Sequence, residues 1–400
     1  MAAKPELLAP AGNFAKLKTA LAFGADAVYL GGKRFSLRSY ADNFDFDTLK
    51  EAVSVAHDAR KKVYVAVNIF CKDSDFADLK EELPRLHRAG VDALIVSDPG
   101  LIAFAKESVP DLALHLSTQA NTLNSHAVRF WHRQGVERVV LARELSADQV
   151  KAIKDAVPEM EIECFVHGAM CISYSGRCLL SNYLARRDAN RGECVQACRW
   201  HFRVSEGDNA LELEEDARGT YLLNSKDLNL IDRIPALIEA GVDSFKIEGR
   251  MKSEYYVATV TEAYRRAIDA VLGGGAVPKS SVELLENVTH RPYTHAYFDG
   301  DNAATVSYDD SQQGGKGVFV AVVLGAEGKT ALVEMRNRFR DGETLKVLSP
   351  QYSADLDVTV RNLRDAEGTP VADAKLVQQQ LYFDSDLSLT KGDILYRRSV

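Results

Sequence analysis

Apolar residues recur along the first 250 positions as short unbroken runs separated by stretches of helical spacing. The run PELLA at 5–9 closes on Pro10, Ala11 and Gly12, and FAKLKTALAF follows with a helical pattern. After Gly24, GADAVYLGG reads as a buried strand closed by two glycines. The phrase returns as GVDALIVSD from Gly90, GVERVVLAR from Gly135 and GVDSFKIEG from Gly241. In each, a glycine follows a helical pattern, as a left-handed helix end requires, and a β-branched or aromatic run follows the glycine. VYVAVNIF at 63–70, LALHLST at 112–118 and IECFVHG at 162–168 complete a set of eight strands. Patterns such as DTLKEAVSVAHDAR and ADLKEELPRLHRAG supply helices between them.

Eight continuous apolar strands alternating with helices predict a parallel sheet covered on its outer face. The number eight favours a closed (β/α)8, TIM-like barrel in the α/β class. An open doubly wound sheet competes, but no G-x-G-x-x-G follows the first strand, and Gly31 and Gly32 make only a turn. Strands seven and eight are separated by more than seventy residues. The cysteine-rich segment, about 168–219, is therefore an insertion after strand seven, starting on the side where barrels keep their chemistry. YYVATVTEAYRRAIDAVLGGG then reads as a closing helix, and 275–312 mixes prolines, glycines and polar residues around SVELLENV. From Lys316 the texture changes to GVFVAVVLG, TALVEMRN, ETLKVLSP, LDVTVRN, QQLYFD and GDILYRR. These predict a small C-terminal antiparallel β-barrel. The expected domains are a catalytic barrel over 1–300 and a linker with the small barrel over 301–400.

Length changes this picture little: 400 residues suit a large domain plus a small one. The first residues, MAAKPELLAPAG, lack a signal pattern, and no stretch approaches the roughly 18 unbroken apolar residues of a membrane span. A soluble, cytoplasmic protein without a membrane partner is expected. In a reducing compartment, clustered cysteines are metal ligands or redox groups sooner than disulfides. The net charge of −8 argues against general affinity for nucleic acid. Residues 171–203 oppose that balance, with Arg177, Arg186, Arg187, Arg191, Arg199 and Arg203 against Asp188 and Glu193.

The chemistry concentrates in that segment. Cys171-x6-Cys178-x15-Cys194-x3-Cys198 offers four thiolates, enough for a tetrahedral zinc or an iron-sulfur cluster. The six residues inside the first pair weaken zinc, and four cysteines within 28 residues weigh against inert buried thiols. Cys164 lies within a strand pattern and reads as core; Cys71 reads as core or rim. His167 at the end of strand seven is a candidate general acid/base, ligand or hydrogen-bond donor, with a satisfied rim histidine the competing reading. Strand alternation places Cys164 and His167 on opposite faces, which disfavours a thiolate–imidazole pair. Strand eight ends in Lys246, Glu248 and Arg250, with Lys252 following, and charges there line a pocket. Asn224, Ser225, Lys226 and Asp227 form a second polar cluster, in which Asp227 is a candidate for catalysis or for capping the next helix. Tyr29, Asn68, Gln119, Asn121 and Arg143 fall at or near strand ends and are candidates for substrate binding, with Arg177, Arg199 and Lys226.

Glu163-x-Phe165-x2-Gly168-Ala169-Met170-Cys171-x4-Gly176-x-Cys178-x-Leu180-Ser181 resembles the signature of peptidase family U-32. PELLAPAGN, GADAVYLGG and KIEGRMKSEYYV resemble the same family. The segment from His167 to Trp200 is most similar to its prephenate-dependent tRNA uridine 5-hydroxylase branch. The family was named for collagenase-like proteolysis, yet better-understood members resemble oxygen-independent hydroxylases of RNA bases or ubiquinone precursors. The resemblance implies a four-iron, four-sulfur cluster on Cys171, Cys178, Cys194 and Cys198. It further implies prephenate as co-substrate, a tRNA anticodon loop as partner and a paralogous U-32 chain as a candidate second partner; His167, Glu248, Arg250 and Asp227 are the catalytic candidates read from the residues themselves. Arg336, Arg338 and Arg340 in the small barrel are candidates for gripping the tRNA body.

Overall fold

The computed structural model describes residues 4–38, 41–200, 205–206, 209–210, 223–300, 305–307, 313–351 and 356–398. Arg203 and much of the later insertion lie outside the described residues. Eight parallel strands close on themselves: β1 (Glu6–Pro10), β2 (Ala27–Gly31), β3 (Lys62–Val67), β4 (Ala93–Val96), β5 (Ala113–Leu116), β6 (Arg138–Val140), β7 (Glu161–Ala169) and β8 (Ser244–Ile247). Closure is direct, because β8 pairs with both β7 and β1. The expected TIM-like barrel is the observed fold.

The repeated phrase explains how this closure is built. Gly24 and Gly241 sit at φ of 97° and 75°, the left-handed ends of the preceding helical turns. The aspartate two residues on reaches across to the neighbouring strand. Asp26 accepts from the Leu7 N–H, Asp92 from Val63 and Asp243 from Ile162, at 3.0, 2.7 and 2.7 Å. Each carboxylate thereby satisfies a donor at the entry of a barrel strand. The intervening helices α1 (Phe14–Ala22), α2 (Phe46–Asp58), α3 (Phe76–Arg88), α4 (Pro99–Ser108), α5 (Ser125–Arg133) and α6 (Ala147–Ala156) bury their apolar stripes on the outside of the sheet. Asn13, Asp45, Asp98, Asn124 and Ser146 cap five of them by accepting a backbone N–H.

Inside the barrel, Leu8, Ala27, Tyr29, Tyr64, Ala66, Ala93 and Ile95 pack one layer. Below it lies a charged floor in which Arg138 bridges Glu6 and Glu163 while Lys246 holds the other oxygen of Glu163. After β7 the chain forms the insertion, which contains α7 (Leu180–Ala185). It returns through a short strand, Asp227–Asn229, antiparallel to the end of β7, before α8 (Ile234–Glu239) and β8. The long α9 (Glu254–Leu272) and α10 (Lys279–Leu285) then complete the outer layer.

The C-terminal strands β9 (Gly317–Glu327), β10 (Thr330–Met335), β11 (Thr344–Leu348), β12 (Leu356–Thr359), β13 (Arg361–Arg364), β14 (Gln380–Asp384) and β15 (Ile394–Arg398) form one antiparallel sheet in the order β12-β11-β15-β9-β10-β14-β13. It curls as a half-barrel around its own core of Val320, Val333, Phe339, Leu381 and Phe383. Tyr255 of α9 stacks on Phe319 at 5.7 Å, and Arg336 pairs with Glu254 at 3.3 Å. Arg336 thus joins the two domains. Arg338 and Arg340 both turn to Asp373. All three arginines suggested for gripping RNA are engaged within the protein. Among the described residues, no helix is long and apolar enough to cross a membrane.

Candidate functional site

The insertion folds back over the C-terminal mouth of the barrel and is pinned there by polar contacts. Arg191 forks onto Asp75 at 2.9 and 3.0 Å and donates to the Phe70 carbonyl at 2.7 Å. Ser175 donates its backbone N–H to Glu144 at 2.7 Å. Two residues expected to bind substrate serve this anchoring instead. Arg177 donates to the Gln119 carbonyl at 2.6 Å, and Asn121 donates to the Tyr174 carbonyl at 3.1 Å. Neither lines the cavity beneath.

That cavity, of about 290 Å³, is walled by Cys171, Cys178, Cys194 and Cys198 on one side and by strand ends on the other. The four cysteines are thus brought around one space. Cys164 and Cys71 lie elsewhere, with burial pushing both thiols up to about 12. Backbone donors are aimed at the sulfurs of three of the four: Leu180 N–H lies 3.3 Å from Cys178 Sγ and Gln196 N–H 3.4 Å from Cys194 Sγ. Ser173 N–H donates to Cys171, and the Ser181 hydroxyl lies 3.8 Å from Cys194 Sγ. Such donors stabilise thiolate sulfur and tune iron-sulfur clusters. Burial outweighs the neighbouring Arg199 guanidinium and pushes the Cys198 thiol up to about 11. A bound metal group would supply the missing positive charge. Among the described residues, no three His, Cys, Asp and Glu side chains are drawn together as tightly as one ion would hold them. The fit to a metal group rests on the shared cavity and the N–H···S bonds.

Opposite the cysteines the wall is cationic. Glu248 lies 3.4 Å from Arg38 and 3.3 Å from the Tyr29 hydroxyl. Burial raises its proton affinity, but Arg38, Arg143, Arg250 and Lys246 outweigh burial and hold the carboxyl below its usual range. Lys246 is already neutralised by Glu163 at 2.7 Å. Three guanidiniums therefore surround a single carboxylate. Arg250 is 3% exposed, its Nη1 has no partner, and burial lowers it to about 10. Gly31 leaves the room for it: a β-carbon there would lie 2.3 Å from Nη1. Arg143 lies over the Phe165 ring at 3.8 Å and donates to the Ala169 carbonyl, leaving its Nε without a partner. Arg199 donates to Asn224 at 3.0 Å and lines the same space. Tyr29, Asn68 and Gln119 are also in the wall, and the buried Gln119 Oε1 is unpaired. A buried cationic wall beside a neutral amide is suited to an anion and a polar ring together.

Three other expected residues are placed differently. The pairing of β7 with β8 shifts register between Lys246 and Ile247, matching them to Phe165 and His167. This irregularity breaks the alternation and turns His167 out of the lumen. Its ring lies among Tyr256, Tyr264 and Tyr293 at centroid distances of 6.1, 5.5 and 5.4 Å, and burial lowers it to about 3. Asp227 is no helix cap: it sits in the short strand, accepts the Arg291 N–H at 3.2 Å and pairs with that guanidinium. Helix α8 has no side-chain cap. Lys226 is held by its backbone N–H to the Thr305 carbonyl, and its side chain is outside the cavity. Arg38 and Arg291, which do line it, escape sequence reading because both lie in irregular segments.

A family model described as Peptidase family U32 matches residues 12–307, and one described as Peptidase family U32 C-terminal domain matches 316–395. The chain is 40% identical over 409 residues to "tRNA hydroxylation protein P1" of Bacillus subtilis, covering 98% of this chain and 94% of that protein. It is 39% identical over 415 residues to "tRNA hydroxylation protein P" of Escherichia coli, covering 91% and 90%. A third relative, "23S rRNA 5-hydroxycytidine C2501 synthase" of E. coli, is 35% identical over 356 residues, covering 86% of this chain and 52% of that protein.

Proposed function

The chain belongs to peptidase family U32, and from that premise we propose that it is a cytoplasmic RNA hydroxylase forming 5-hydroxyuridine at a tRNA wobble position. In this reading Cys171, Cys178, Cys194 and Cys198 hold a four-iron, four-sulfur cluster, and prephenate is the co-substrate. The observation that carries it is the convergence of four cysteines and the Arg38, Arg143 and Arg250 guanidiniums on one cavity. The relatives' names support the same chemistry, since one acts on tRNA and another yields a pyrimidine hydroxylated at position 5.

When bound, such a cluster supplies one-electron chemistry that side chains lack. The residues of the chain do the rest. Arg250 and Arg143 offer forked donors to the carboxylates of prephenate, and Glu248 holds Arg38 in place beside them. Phe165, Ile95 and Ala66 give the cavity dry walls that strengthen these contacts. An anticodon loop is single-stranded, so its uridine can be splayed into the mouth, where the amides of Gln119 and Asn68 face it. A peptidase reading has less support: no histidine lines the cavity among the described residues, and His167 packs against tyrosines.

The deciding experiment compares nucleosides from tRNA and rRNA of cells with and without the gene, alongside iron and sulfide content of protein purified without oxygen. Loss of tRNA 5-hydroxyuridine supports the reading. Unchanged tRNA with loss of a hydroxylated rRNA cytidine moves the substrate to the ribosome, and neither change, with peptide cleavage that survives iron removal, sinks it.

A further inference from the structure

Eleven large apolar side chains are well exposed among the described residues, and five of them, Tyr174, Leu179, Tyr183, Leu184 and Trp200, fall in the insertion. Such a concentration marks an interaction surface. Its centre is α7. Leu179 and Tyr183, 76% and 85% exposed, are four residues apart and joined by the Tyr183 N–H to Leu179 carbonyl bond at 2.9 Å, so their side chains are neighbours on one face. The exposed Arg186, three residues further on, ends the helix in the left-handed conformation (φ 54°) and places a cation just past the stripe.

The inner face of this helix serves the cysteines. Ser181 is buried, with its hydroxyl 3.8 Å from Cys194 Sγ and accepting the Val195 N–H at 3.2 Å. Leu180 donates to Cys178 Sγ. Whatever lies on the outer stripe is therefore one helix away from the cysteine wall of the cavity. The surrounding charge is positive: residues 171–200 carry five arginines against Asp188 and Glu193. Both acids are turned to the insertion's own backbone, Asp188 accepting the Asn190 N–H and Glu193 the Asp188 N–H.

We propose that the Leu179–Tyr183 stripe, with Arg186 just past it, is a stacking platform for the unpaired nucleotides that flank the modified base; this rests on the RNA reading above. An exposed tyrosine between a leucine and a guanidinium offers a ring face to a base and a cation to the next phosphate, the pairing that single-stranded RNA sites use. The bases held on α7 fix the strand beside the cavity, and the target base turns inward past the cysteine segment.

The test uses the full chain purified without oxygen and a fluorescent anticodon stem-loop RNA bearing a wobble uridine. Tyr183→Ala is expected to weaken binding roughly tenfold or more, Tyr183→Trp to restore it, and Arg186→Gln to flatten the dependence of affinity on salt. Iron content equal to that of the unaltered chain shows that each variant is folded. If the unaltered chain binds this RNA and Tyr183→Ala and Leu179→Ala bind it equally well, the platform is overturned while the RNA reading stands. A change in assembly mass in those variants, with RNA affinity unchanged, would assign the stripe to a protein interface. If the unaltered chain itself binds no RNA, both the platform and the RNA reading fall.

Discussion

Lys246 places its Nζ 2.7 Å from Oε1 of Glu163, and both side chains are almost wholly withdrawn from water. The other oxygen of Glu163 lies 3.2 Å from Arg138, which also reaches Glu6. Tyr64 and Ser244 donate to Glu6 as well. Two buried cations thus meet two carboxylates at the floor of the barrel. Lys246 also lies over the Tyr29 ring at 4.6 Å, so the floor sets the position of an aromatic that walls the cavity above.

Neutralising Glu163 breaks this balance at its centre. Glu163→Gln leaves Lys246 and Arg138 with one charged partner fewer in a dry interior, and a loss of about 3–5 kcal/mol of folding stability is expected. Adding Lys246→Met removes one of the stranded charges and should recover part of that loss. Urea unfolding of the single and double variants checks the prediction; a single variant as stable as the parent would mean that water reaches the floor.

Much of the fold is legible in the sequence because its signals are local and repeated. The repeated glycine phrase encodes a helix end and a buried strand together, and in its three G-x-D copies a cross-strand hydrogen bond as well, so its four copies announce the barrel. The cysteine wall is equally legible from its crowding in one segment. His167 is misread because a single register shift in β7 overrides alternation, and nothing in ECFVHG signals the bulge. Asp227 is read as a cap or a catalytic group because its partner, Arg291, is 64 positions away and nothing in the local sequence announces the pair. Arg38 is missed for the same reason: its partner is Glu248, across the closed barrel.

The tyrosine cage around His167 has a consequence for acid stability. Burial lowers this imidazole from 6.5 to about 3, so the folded chain keeps it neutral while the unfolded chain binds a proton below 6.5. The unfolded state then holds more protons, and stability falls as pH drops from about 6.5 towards 3, by up to roughly 1.4 kcal/mol per pH unit for this group. His167→Phe should flatten that part of the profile, read from urea midpoints across the range. Because His167 is outside the cavity, the variant is also expected to retain the iron of the parent.

Replacing cavity cysteines should separate them from the others. Cys178→Ser and Cys194→Ser are expected to lose most bound iron and acid-labile sulfide, with the visible absorption. Cys164→Ala, which alters a thiol packed outside the lumen, should keep all three. Iron and sulfide assays on protein purified without oxygen give the answer, and a colourless Cys164→Ala with a coloured Cys178→Ser would overturn the ligand assignment.

Gly31 offers a way to move Arg250 without removing its charge. An alanine β-carbon there would lie 2.3 Å from Arg250 Nη1 and 2.7 Å from the Ser36 hydroxyl, so the guanidinium must shift. The clash is with the end of a flexible side chain, and the expected stability loss is modest, about 1–3 kcal/mol. If Arg250 is the carboxylate fork, Gly31→Ala should weaken prephenate binding tenfold or more by calorimetry while iron content is unchanged. Arg250→Lys tests the same point from the other side: it keeps a cation but loses the planar fork, and should lose comparable affinity. Full affinity in Gly31→Ala and its loss in Arg143→Lys would instead place the carboxylate on Arg143, whose Nε is also unpaired in the wall. The two outcomes cannot be reached by a general loss of charge, because every variant in the series carries the same net charge as the parent.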